Sequence, residues 1–271
     1  MSKYYYLISS LPELFLEAED AKKTDFLFIR DYILEQISGK DTGYVYDLLN
    51  SIDNYNLITA VYRKNRKWKK GGQFEFRSID DLDKTVLPGY MIDFLQYIDN
   101  YQSEHKTNPD ELVAEKYLSE LYYDKVENSD NVFIAKWFTF DREMKNIQSA
   151  YLSRRLGLSP ENYLVKTDDV TDFLMKNTSP DFGVSRERDY IPELFQALET
   201  QDLLERESKL DMLRWKQIDE INIMEYFSMD AALGTLQKAS IVDRWMTLDS
   251  VNGQKLFRKL IDDLIKNEDK R

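Results

Sequence analysis

This 271-residue chain has one histidine and no cysteine, so carboxylates lead its candidates for acid, base or nucleophilic chemistry, and their spacing narrows the choice further. Two carboxylates on either side of a bond can divide acid and base roles, as in glycoside hydrolysis. Adjacent acids stand at Asp80-Asp81, Asp168-Asp169 and Asp262-Asp263. No aromatic-rich loop or Asn partner singles out one pair, so solvated helix faces or helix caps account for them better. The single histidine, His105, lies between Glu104 and Lys106 and reads as a solvated side chain. With no cysteine and one histidine, a zinc site, a thiol nucleophile and a Ser-His-Asp triad are effectively excluded. The expectation is a protein with no cofactor, no metal and no enzymatic activity.

Polar groups suited to binding are easier to find. Arg63, Lys64, Arg66, Lys67, Lys69 and Lys70 put six cations into eight positions, with Trp68 among them and Gly71-Gly72 behind. A tryptophan between cations could stack a base, but 37 basic against 49 acidic residues leave a net charge of −12, which repels a phosphate backbone. Nucleic acid is therefore not the expected partner. The run is instead a candidate docking surface for an acidic protein or for lipid head groups, or simply a solvated helix end stopped by its glycines. Glu143, Asn146, Arg154 and Arg155 form a second group. An acid and an arginine eleven or twelve positions apart on one helix are about three turns apart and cannot pair locally. They are expected to tie neighbouring modules together, with Asn146 hydrogen-bonding between helices.

The elements that carry these residues are helices. Nine Gly and six Pro are too few for an all-β sandwich or for a glycine-rich phosphate loop, and apolar residues recur with helical rather than alternating period. Ser10-Leu11-Pro12-Glu13 predicts a capping box with a helix through Glu19. Thr24 is expected to open a helix that closes before Gly39, and Thr42 or Gly43 one that runs to about Lys64. Asn108-Pro109-Asp110-Glu111 predicts a helix start. Val132 to Leu156, ended by Gly157, is the most helical stretch. Leu256 to Ile265 reads as a closing amphipathic helix. No apolar run reaches the roughly 18 residues of a membrane span, and Met-Ser-Lys-Tyr-Tyr-Tyr is not a signal-peptide start. A cytoplasmic location is expected.

The chain also resembles itself. Trp137 to Ala150 aligns with Tyr226 to Ala239 at an offset of 89, and Asn56-Leu57 and Ala60 match Asn146-Ile147 and Ala150 at an offset of 90. Pro12-Glu13-Leu14-Phe15 recurs as Pro192-Glu193-Leu194-Phe195, two such periods away. With breaks near Pro88-Gly89 and in the loop around Ser179-Pro180, the pattern predicts an all-α protein of three related helical modules: 1–88, 89–180 and 181–271.

Tyr4 to Pro12 resembles the opening of a bacterial family encoded beside V-type ATPase genes and similar to the C/d family of V-type ATPase central-stalk components. Modules of that family tend to carry an acidic-x-x-Asn-aliphatic motif on a long helix. Glu143-x-x-Asn146-Ile147, followed by Ser153-Arg154-Arg155-Leu156-Gly157, matches it. Asp53-x-x-Asn56-Leu57, followed by Tyr62-Arg63-Lys64, matches in part. The third copy departs from it, with Ala232 and Thr235 before Leu236. The resemblance implies three helical modules arranged as a funnel and a non-catalytic central-stalk role: a socket that couples the rotor shaft to the membrane ring during ATP-driven ion transport or ATP synthesis. It implies shaft and ring subunits as partners and a peripheral place on the cytoplasmic face of the inner membrane. Asn56, Glu143, Asn146, Arg154 and Arg155 are then expected to tie modules together. The alternative is a helical adaptor or regulator that binds another protein through a concave face.

Overall fold

A computed structural model describes residues 4–14, 25–62, 67–74, 83–166 and 168–248. Among these residues the protein is all-helical, with ten α-helices, one short 3-10 turn and no strand. The predicted helices beyond Leu14 and at Leu256–Ile265, together with the acids at 80–81 and 262–263, lie outside the described residues.

Caps decide where the helices begin. Helix α1 covers Tyr5–Ser10 and α2 Phe26–Gln36. Asp25 opens α2 by accepting hydrogen bonds from the Leu27 and Phe28 amides, so the start falls at Asp25 rather than Thr24. The capping box predicted at Ser10 does not form. Ser10 instead closes α1, its hydroxyl donating back to the Tyr6 and Leu7 carbonyls, and residues 11–14 are not helical. A serine hydroxyl can serve either end of a helix; here Leu11 is extended, as a residue before proline prefers. Helix α3 runs over Lys40–Val61, starting right after Gly39, whose φ of +65° few other residues adopt. Helix α4 spans Gly89–His105 and α5 Glu111–Glu127. The α5 cap is Asp110, not the predicted Asn108. Asn131 caps α6, Val132–Leu156, and Gly157 ends it at φ +67°. A 3-10 turn at Pro160–Asn162 leads to α7, Asp169–Lys176. Helices α8 (Ile191–Glu199), α9 (Leu203–Ile221) and α10 (Met229–Leu248) follow.

The described chain groups into two compact units, divided after Val45 and after Arg186. The expected module lines fall elsewhere, after residues 88 and 180. The middle unit takes most of α3 and all of α4 to α7; α5 packs on both α4 and α6, and α6 on α7. Its core follows α6, which buries Phe133, Ile134, Trp137, Phe138, Phe140, Met144 and Ile147. Each such side chain contributes about 1.5–3 kcal/mol on burial. A typical hydrogen bond nets only about 1 kcal/mol, so apolar packing supplies most of the stability and polar contacts fix the geometry.

The other unit joins the chain's start to the residues from Glu187 onward. There α8 packs on α9, and α10 packs on α2 and α9. At its centre Asp211, only 1% exposed, accepts hydrogen bonds from Trp245 Nε1 at 2.6 Å, from Arg214 at 2.8 Å and from Arg244.

The sequence repeat has a partial counterpart. Phe140, Met144 and Ile147 on α6 are buried like Met229, Leu233 and Leu236 on α10. Tyr226 and Phe227, which align with the buried Trp137 and Phe138, precede α10 and are exposed. The third copy thus lacks the first turns of the second. Likewise Pro192 sits in the first turn of α8, while residues 12–14 are not helical.

Candidate functional site

The acidic-x-x-Asn motif does the same physical work in both of its copies. On α3, Asn56 is buried, and its side-chain amide pairs with the backbone of a single residue: Nδ2 donates to the Lys69 carbonyl at 2.9 Å and Oδ1 accepts from the Lys69 amide at 3.0 Å. On α6, Asn146 donates to the Val165 carbonyl and accepts from the Val165 amide, both at 2.9 Å. An asparagine is suited to this because it carries a donor and an acceptor side by side, matching the N–H and C=O of an extended residue. Each clamp pins the segment that follows its helix back onto the helix. The ties expected between modules at Asn56 and Asn146 are therefore ties within one: the partners lie 13 and 19 residues downstream.

The surroundings of the clamps differ. Next to Asn56, the buried Asp53 accepts hydrogen bonds from the Gln73 amide at 2.8 Å and the Phe74 amide at 3.1 Å. A Cβ on Gly72 would stand 2.1 Å from Asp53 Oδ1, so only glycine lets this loop approach. Lys69 Nζ lies 4.1 Å from the centre of the Tyr55 ring, a cation–π distance. The segment presents Lys67, Lys69 and Lys70 to solvent, with Trp68 half-buried. These lysines are carried not by a helix end but by a loop locked to α3. Arg63, Lys64 and Arg66 lie outside the described residues.

Around Asn146 the anchoring is ionic. Arg142, 5% exposed, pairs with Glu127 and with Asp168. Lys166, at φ +61°, reaches Glu127 at 2.9 Å. Asp168 also caps α7 in a reciprocal pair with Thr171. Burial works against ionisation of Asp168, but the Thr171 amide and the Arg142 guanidinium outweigh it and hold the carboxyl below its usual range. Of the predicted acid pair Asp168-Asp169, the first is thus a cap and ion-pair partner. Glu143 is buried beside Asn146.

Arg154 reaches the loop at the expected line after residue 180: it donates to the Asn177 carbonyl at 2.7 Å and to the Ser179 carbonyl, and its guanidinium lies 3.5 Å from the centre of the Phe182 ring, just beyond that line. It holds a turn in which Phe182 adopts φ +54°. Arg155 is exposed, 5.9 Å from the Tyr151 ring centre. His105 is exposed and stacks on Tyr101 at 4.1 Å.

Neither the Asp211 network nor the Arg142 cluster is expected from the sequence. One signal was available for the first, since Arg244 stands 89 residues after Arg155, the offset of the repeat. Among the described residues no three His, Asp or Glu side chains converge as metal ligands would, and no helix is long and apolar enough to cross a membrane.

No curated protein matches the chain. A family model described as Protein of unknown function (DUF2764) matches residues 1–268, nearly the whole length, and the chain belongs to that family.

Proposed function

We propose that this protein is a non-catalytic central-stalk component of a bacterial V-type ATPase or ATP synthase, coupling the rotor shaft to the membrane ring. The observation that carries the reading is the repeated clamp. The motif on which the resemblance to the C/d family rests is spaced by 90 residues, and in both copies its asparagine pins the backbone that follows the helix. A part that transmits torque must not yield between its helices and the segments joining them, and a buried amide holding both the N–H and the C=O of one residue resists such slippage. The loop at 67–70 adds three solvent-facing lysines on a fixed backbone, suited to an acidic partner. In this reading the protein works on the cytoplasmic face of the inner membrane, held there by its shaft and ring partners.

A tagged chain expressed at native level and recovered from detergent-solubilised native membranes tests this. Head and rotor subunits of the ATPase are expected to co-purify in fixed proportion. Recovery of the tagged chain without any of them overturns the reading.

A further inference from the structure

A second surface of the middle unit has the opposite charge. On α4, Asp93, Tyr97, Tyr101 and His105 follow one another at intervals of four and so share one helix face. On α5, Val113, Tyr117 and Leu121 do the same. The two stripes meet where Tyr97 touches Tyr117, ring centres 4.6 Å apart, with Tyr101 at 6.3 Å from Tyr97. This tyrosine ridge separates two open grooves. One, of about 490 Å³, carries Asp93 and Glu104 and ends at Leu121. The other, of about 480 Å³, carries Asp110 and Glu120 beside the exposed Leu112 and Val113. Among the described residues Lys116 is the only cation lining either groove, and its ammonium is turned to the Glu161 carbonyl at 2.8 Å. Asp93 and Glu104 are exposed and make no ion pair among the described residues.

We propose that the α4–α5 face is a docking site for a basic amphipathic segment of a protein partner, whose arginine or lysine side chains lie on Tyr97, Tyr101 and Tyr117 between the two acidic rims. The ring faces carry negative quadrupoles that attract a cation, and the carboxylates on both sides complete its pairing. The rings lie in contact, so they form a ridge rather than a closed cage, and an open double groove fits a chain segment better than a single small cation. Leu112, Val113 and Leu121 give apolar side chains of that segment their contact, which a bare polycation would leave unused. The proposal rests on neither the clamps nor the stalk reading, and it can fail or stand without them.

The test uses the full chain and a fluorescent, end-blocked helical peptide of about 15 residues with Arg and Leu on one face. Its anisotropy is titrated at low salt. Saturable binding is expected, weakened about 10-fold or more by Asp93→Asn with Glu104→Gln and by Tyr101→Leu, and retained in Tyr101→Phe. The pair Glu199→Gln with Glu220→Gln alters net charge equally on the other unit and is expected to leave binding unchanged. Circular dichroism of each variant establishes that it is folded; the rim acids are solvent-exposed, so their variants keep the test open even where Tyr101→Leu fails to fold. Equal weakening by the remote pair, indifference to Tyr101→Leu in a folded variant, absence of saturation, or equally tight and equally Tyr101-dependent binding of spermine would each overturn the proposal.

Discussion

The clamps on α3 and α6 use the same amide and the same pair of backbone bonds, yet the segments they hold are finished in different ways. Beyond Lys69, the chain is fastened by a simple carboxylate–amide contact, Asp53 to the Gln73 and Phe74 amides, which requires a bare glycine at 72. Beyond Val165, it runs into an ionic knot of Arg142, Glu127, Lys166 and Asp168 that also starts α7. The first arrangement leaves three lysines facing solvent; the second turns its charges inward on each other. In α10, where Ala232 and Thr235 replace the acid and the amide, Ala232 is buried and the Thr235 hydroxyl donates to its own helix at Ala231. In both copies that keep the motif, on α3 and α6, it goes with a segment that returns onto its helix.

The largest expected effect comes from breaking the ionic side. Arg142→Met leaves Asp168 without its cation and Glu127 with Lys166 alone. Loss of one partner of a buried ion pair costs about 3–5 kcal/mol, and the partial exposure of Asp168 places the expectation at the lower end, about 3 kcal/mol in urea unfolding. A loss below about 1 kcal/mol would mean that the knot is not what secures the α6 segment.

The amide clamps come next. Asn146→Ala and Asn56→Ala each remove two hydrogen bonds and leave one residue's N–H and C=O without their side-chain partner, with an expected loss of about 2 kcal/mol. The measurement that sharpens the comparison is amide hydrogen exchange. Asn56→Ala should speed exchange at Lys69 selectively, and Asn146→Ala at Val165. If either variant loosened both segments alike, the two clamps would form one cooperative unit rather than separate fasteners. Gly72→Ala follows, at about 1–2 kcal/mol, because the added methyl group must displace a buried carboxylate or its own loop.

Helices were legible because their ends carry side chains with one dominant use. Gly157 takes the positive φ expected of a helix stop, whereas Gly39, also at positive φ, stands directly before α3, with α2 already ended at Gln36. Where several capping residue types stand together spacing does not choose between them: Ser129, Asp130 and Asn131 precede α6, and Asn131 caps it, its Oδ1 accepting from the Ile134 amide. Asn56 and Asn146 stood out by spacing, but Lys69 and Val165 did not, since they are held by backbone groups that every residue possesses. Arg142 was missed for another reason. Between Asp141 and Glu143 it reads as a solvated face, whereas α6 is covered on nearly all sides and buries Arg142, Glu143 and Asn146 together. The heptad pattern reports where apolar side chains go and is silent on whether the opposite face meets water or another helix.

The smallest expected effect is a difference in pH response between the two regions. Asp168, on the α6 side, has its carboxyl lowered below the usual value of 3.8. Asp47, on α3, has its own raised by burial, which the nearby Lys125 ammonium only partly offsets. The signs are opposite. The unfolded chain binds a proton at Asp168 more readily than the folded one, so the stability from that carboxylate is present above 3.8 and is lost as pH falls through the lower folded value. At Asp47 the folded protein holds the proton more tightly, so a penalty sets in as pH rises above 3.8 and is complete above the raised value. Unfolding free energies measured from about pH 3 to pH 6 should then separate the two. Asp168→Asn flattens the acid limb, whereas Asp47→Asn removes a loss that grows with pH. Equal slopes in both variants would show that folding treats the two charges alike, and the contrast between the well-paired Asp168 and the buried, only partly compensated Asp47 would fail.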